Sequence, residues 1–97
     1  MTEENTPRED APRRIPVEDS IDLHTFSPRD VLSVVEEYLE EAAAKGYREV
    51  RLIHGKGTGV QRAAVRSVLS RHQRVAFFSD APPEAGGWGA TLVILRA

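Results

Sequence analysis

Three glycines at alternate positions in His54-Gly55-Lys56-Gly57-Thr58-Gly59 constrain this chain more than any other feature. The segment before them, Glu49-Val50-Arg51-Leu52-Ile53, has branched residues and partial alternation and reads as a strand. The segment after them repeats Val60, Ala63, Ala64, Val65, Val68 and Leu69 at helical spacing. A strand that passes through glycines straight into a helix is an α/β element. The glycines permit positive φ and remove β-carbons that would hold an incoming group at a distance. Leading N–H groups and the positive end of the helix dipole converge on such a loop, which suits an anion, and Lys56 adds a full charge.

Nucleotide-cofactor loops do not fit the spacing. No glycine stands five positions before Gly55-Lys56, and Gly57 follows the lysine where a Walker loop needs Ser or Thr. Val60 occupies the third glycine position of a dinucleotide fingerprint begun at Gly55. The anion is therefore expected to be a phosphate in a nucleic-acid backbone.

The remaining chain supplies one domain. Residues 1 to 18 are rich in Pro, Glu, Thr and Arg with almost no large apolar side chain, and read as a flexible acidic tail. Residues 19 to 97 form the folded part. Asp19 to His24 alternates, with Ile21 and Leu23 on one face and Asp22 and His24 on the other, and predicts the first strand. Ser27-Pro28-Arg29-Asp30 supplies an N-cap serine, a proline at the first helical position and an early acid. The helix so begun carries Val31, Val34, Val35, Tyr38, Leu39, Ala42 and Ala43 on one stripe and stops at Gly46. Val75 to Ser79 and Ala90 to Leu95 predict two more strands, separated by the proline- and glycine-rich stretch from Ala81 to Gly89. The order β-α-β-α-β-β implies an α/β two-layer sandwich, two helices over one face of a four-stranded mixed sheet.

Charge sharpens the functional reading. The net charge is −2, yet residues 1 to 20 hold six acids and three bases, so the remainder is +1. From Arg51 to Ser79 there are six bases and no acid, which predicts a positive field toward anionic partners. Arg62 and Arg66 stand at i, i+4 and are expected on an outer face of the second helix, in reach of phosphates. The absence of cysteine removes disulfides, thiolate metal sites and a cysteine nucleophile, and with the lack of a leader-like or membrane-length apolar run it points to a cytoplasmic protein without membrane partners.

The candidate chemistry lies in Asp22 and His24. On one strand face they stand side by side, and a parallel neighbour would bring His54 to the same sheet edge, where α/β folds bind ligands. A histidine can move a proton during phosphodiester cleavage, while an adjacent carboxylate orients it or holds a divalent cation such as Mg²⁺; the sequence leaves these two roles open. A solvent-facing strand end with no chemistry is the plainer account of Asp22 and His24. Trp88 either stacks on a base or closes the core, and core filling is expected of it. His72, at the end of the second helix, is expected to be structural. No nucleophile elbow is present to support a serine hydrolase.

Ile21-Asp22-Leu23-His24, then His54 through Gly59, then Gly86-Gly87-Trp88-Gly89-Ala90-Thr91, in this order and at these separations, strongly resemble the three signatures of the Smr (small MutS-related) domain. The likeness covers about residues 19 to 96. It implies a sandwich similar to the C-terminal domain of translation initiation factor 3, and a free-standing Smr protein rather than the tail of a larger MutS-like chain. It also implies nucleic-acid binding and endonuclease activity on DNA or RNA, with Asp22 and His24 catalytic and His54, Gly55, Lys56, Gly57, Thr58 and Gly59 holding the strand. Thr25 stands where many members have glycine, so the approach to His24 is expected to differ. The alternative is a binding module without chemistry, docked on nucleic acid or a ribosomal surface. A protein-interaction adaptor ranks behind both.

Overall fold

Both helices are driven to one face of the sheet by the direction in which the chain steps across it. A computed structural model describes residues 18–57 and 59–96. The elements are β1 (Ser20–Asp22), α1 (Val31–Ala44), β2 (Glu49–Ile53), α2 (Val60–Arg71), β3 (Val75–Asp80) and β4 (Ala90–Leu95). Across the sheet they run β1-β2-β4-β3. β1 is parallel to β2, and β4 is antiparallel to both β2 and β3. The crossovers from β1 to β2 and from β2 to β3 therefore advance the same way, and right-handed connections place α1 and α2 on the same side. There the helices pack together. This is the expected mixed sheet and element order, with β4 inserted between β2 and β3.

The stripe of α1 buries Val31, Val35, Tyr38, Leu39 and Ala42, and α2 buries Val65, Val68 and Leu69. They meet Val50, Leu52, Val93 and Leu95 from the sheet, together with Leu23. Each fully buried leucine here contributes about 1.5–3 kcal/mol. On the opposite sheet face Arg51, Leu92 and Ile94 are half-buried and Phe77 is exposed, so one face stays open as a two-layer arrangement requires.

Three local expectations differ from the structure. β1 pairs only as far as Asp22, opposite Ile53, and Leu23–Thr25 form a 3-10 turn. Asp22 ends the strand by accepting the backbone N–H of His24 at 2.9 Å, and Leu23 drops into the core. Ser27 makes no side-chain cap; Pro28–Asp30 form a tighter turn in which the Asp30 N–H bonds the Ser27 carbonyl at 2.8 Å, and α1 proper begins at Val31. β3 runs one residue further than expected, to Asp80. The end of α1 is as expected: Gly46 and Tyr47 donate to Ala43 and Ala42, each at 3.0 Å, closing the helix around the glycine. The tail, residues 1 to 17 of it, Thr58 and Ala97 lie outside the described residues. Among those described, no helix is long and apolar enough to cross a membrane.

Candidate active site

Four chain segments converge on one sheet edge. β1 ends at Asp22 and β2 at Ile53, which pair with each other, while Ala90 at the start of β4 pairs with Ile53 from the other side. β3 ends at Asp80, opposite Thr91. The turn after β1, the glycine loop after β2, the end of β3 and the segment before β4 are thus neighbours.

Asp22 and His24 meet, though by a turn and not by the pleat of a strand. The 3-10 turn carries the imidazole back over the carboxylate, so Asp22 Oδ1 accepts both the His24 backbone N–H at 2.9 Å and the ring Nδ1–H at 2.8 Å. The backbone bond, then the ring bond, holds the Asp22 carboxyl below the usual carboxylate range. Because a carboxylate only accepts, Nδ1 carries the proton of the neutral ring and Nε2 carries the lone pair. Both side chains are more than half exposed, at 57% for His24 and 53% for Asp22.

Nε2 faces the glycine loop. Gly55 has φ +83°, and a β-carbon there would lie 2.9 Å from His24 Cε1 and closer still to Nε2. The loop is tied to the segment before β4, since the N–H groups of His54 and Gly55 both donate to the Gly89 carbonyl, at 3.0 and 2.8 Å. The part of the loop turned to solvent therefore starts at Lys56, which with Gly57 is exposed.

His54 is placed behind the loop. It is only 4% exposed, with Nδ1 3.0 Å from the Gly55 carbonyl and Nε2 2.9 Å from Thr91 Oγ1. The carbonyl must accept, so Nδ1 donates and Nε2 accepts from the threonine hydroxyl. Burial, with the nearby Arg62 and Arg66 charges, pushes its pKa down. Both ring nitrogens of His54 are thus engaged in bracing the loop, and the residue also lines the cleft beside it.

Arg62 and Arg66 are not on an outer face. Both turn inward to Asp80 Oδ1, each at 2.6 Å. Arg62 also lies 4.9 Å over the Trp88 ring, and Arg66 lies 5.2 Å over that of Phe78. The Arg62 bond first, with the Arg66 charge, lowers the Asp80 pKa. The acid-free stretch from Arg51 to Ser79 stops one residue short of Asp80. Elsewhere Arg74 reaches Glu40 at 3.2 Å, and Arg51 donates to the Ala85 carbonyl at 3.0 Å on the open sheet face. A chain segment without acids is therefore not a surface without acids. Trp88 does not fill the core: it is 42% exposed, and a β-carbon on Gly59 would sit 3.3 Å from its Cη2. His72 keeps a local role, accepting the Arg74 backbone N–H at 3.1 Å, away from this edge.

Sequence reasoning missed Asp80 and Thr91. Asp80 follows the expected end of β3 directly, and Thr91 belongs to the third signature, so both had a signal in position without one in chemistry. For a divalent cation, the described residues hold no group of three His, Cys, Asp or Glu side chains, and Asp22 Oδ1 is committed twice to His24. The described residues do not fit a protein-only cation cage.

Comparison with known proteins bears on the family and the fold. A family model described as the Smr domain matches residues 21–96. Endonuclease MutS2 of Thermus thermophilus is 49% identical over 76 residues, covering 78% of this chain and 10% of that protein. Endonuclease MutS2 of Aquifex aeolicus is 42% identical over 84 residues, covering 84% of this chain and 11% of that protein. The chain thus spans about a tenth of the length of these curated relatives. The crystal structure of the Smr domain of Thermus thermophilus MutS2 superposes with a TM-score of 0.77 at 46% identity, covering 82% of this chain and 100% of that one. YdaL, a stand-alone small MutS-related protein from Escherichia coli, gives 0.71 at 32% identity, covering 84% of this chain and 67% of that one.

Proposed function

The chain belongs to the Smr domain family, and from that premise we propose that it is an endonuclease that grips the phosphate backbone of DNA or RNA on the glycine loop and cleaves it with His24. The observation that carries this reading is the Asp22–His24 pair, 2.8 Å between Oδ1 and Nδ1, whose free Nε2 lies against Gly55. The curated relatives named Endonuclease MutS2 support the same reaction class.

Each residue has a role in this scheme. Lys56 and the solvent side of the loop hold a phosphate, helped by an α2 N-terminus with no acid in its first turn. Nε2 of His24 accepts the proton of the attacking hydroxyl as its oxygen bonds to phosphorus and the bond to the leaving oxygen breaks. Asp22 keeps Nδ1 protonated and stabilises the imidazolium that forms. Arg62 acts more weakly on the strand, since Asp80 already neutralises part of its charge.

The test is incubation of the purified protein and of His24→Ala with single-stranded, duplex and branched DNA and RNA, with Mg²⁺ and with EDTA. Cleavage by the wild type that His24→Ala loses supports the proposal. Equal cleavage by both removes His24 from catalysis. Binding without cleavage under every condition turns the reading into a binding module.

A further inference from the structure

Two large apolar side chains that the fold leaves exposed line a single cleft. Leu32 in the first turn of α1 is 41% exposed, and Val60 at the start of α2 is 72% exposed. Neither belongs to the buried stripe of its helix, where Val35, Leu39, Val65 and Leu69 do the packing. Together with Pro28 and Ala64 they wall a cavity of about 490 Å³, a size within the ~300–1,000 Å³ of small-ligand sites. His24, Gly55, Lys56 and Gly57 also line it, so it is continuous with the glycine loop. Among the described residues Lys56 and Arg62 are its charged ones, and no carboxylate lines it.

An apolar slot with a basic rim matches one nucleotide, whose flat ring has apolar faces and is linked to an anionic phosphate. A neutral aliphatic ligand would make no use of the rim. A duplex would offer its phosphates while keeping its bases stacked and out of reach, unless it also paid for unstacking. Gln61 is the polar amide in the lining, and it carries both donors and an acceptor, which favours no particular base.

We propose that the cleft between the first turns of α1 and α2 takes one unstacked nucleobase of the strand whose phosphate lies on the glycine loop, so that the domain selects single-stranded nucleic acid over paired duplex. This rests on the phosphate grip proposed above and adds the substrate class to it.

The experiment compares three labelled probes of equal length at one low salt concentration by fluorescence anisotropy: a single-stranded oligodeoxynucleotide, its duplex, and an oligomer of abasic deoxyribose phosphate units. The proteins are the wild type, Leu32→Ala/Val60→Ala, which leaves charge unchanged at two exposed positions, and Lys56→Ala. The wild type is expected to bind the single strand roughly tenfold tighter than either other probe, the scale of one buried base. The double variant is expected to lose that preference and keep the abasic affinity. Abasic binding equal to that of the normal strand overturns the proposal, as does an undiminished preference in the double variant. In both cases weakened binding by Lys56→Ala leaves the phosphate grip standing. If Lys56→Ala binds every probe as the wild type does, the grip fails and the base pocket fails with it.

Discussion

Gly55 and His24 share space that no other residue at position 55 would leave open. A β-carbon on Gly55 would stand 2.9 Å from His24 Cε1, on a backbone at φ +83° that side chains rarely adopt. The loop glycine is thus as much a part of the candidate catalytic dyad as the aspartate that orients it. Gly55→Ala is expected to destabilise the fold by more than ~1 kcal/mol, because the strain at positive φ outweighs the gain from a less flexible unfolded chain. It should also displace the imidazole and reduce cleavage. Thermal melts and the NMR shifts of the His24 ring are the checks, and an undisturbed ring would contradict the geometry.

Asp22→Asn tests orientation separately from binding. The amide keeps the size of the carboxylate but loses the charge that favours the Nδ1–H tautomer and the imidazolium. Cleavage is expected to fall about 10²–10⁴-fold, the range of a general base, while nucleic-acid affinity stays close to wild type. Single-turnover rates set beside binding isotherms separate the two effects.

Asp80 restrains the arginines that the linear charge pattern offered to phosphate. Asp80→Asn removes the negative charge shared by Arg62 and Arg66, each 2.6 Å from Oδ1. Binding is expected to tighten, and the slope of log affinity against log salt to steepen by about one ion. Lys56→Ala is expected to do the reverse, weakening binding and making the slope shallower by about one. Titrations across a salt series measure both, and a flat response in Lys56→Ala would count against the loop as the grip.

His54 links stability to pH. Burial holds its pKa in the folded state below the ordinary 6.5, so around neutrality and just below it the unfolded chain binds a proton that the folded chain does not. Stability then rises with pH through that window. This contribution is complete above the unfolded value and is lost as pH falls toward the lowered folded one. Urea unfolding from about pH 7.5 to about pH 5 should show the decline, and His54→Gln should flatten it. Thr91→Val leaves Nε2 without its 2.9 Å partner and is expected to cost about 1–3 kcal/mol.

The sequence by itself determined the element order, the α/β class, both helical stripes and the proximity of Asp22, His24 and the glycine loop. Those follow from periodicity, glycine placement and the rule that parallel neighbours end at one edge, all of which are local or nearly so. Tertiary structure decided the rest. Whether Arg62 and Arg66 face solvent depends on Asp80, at i+18 and i+14, which the fold brings beside them. Whether His54 is a surface group depends on Thr91, 37 residues away in the chain. The route by which Asp22 meets His24 depended on a side chain capping the next turn, which competes with strand pairing and wins at the last paired residue. Periodicity reports which face of an element is apolar. It does not report which charge from a distant strand will neutralise the polar one, because that pairing exists only once the chain has closed on itself.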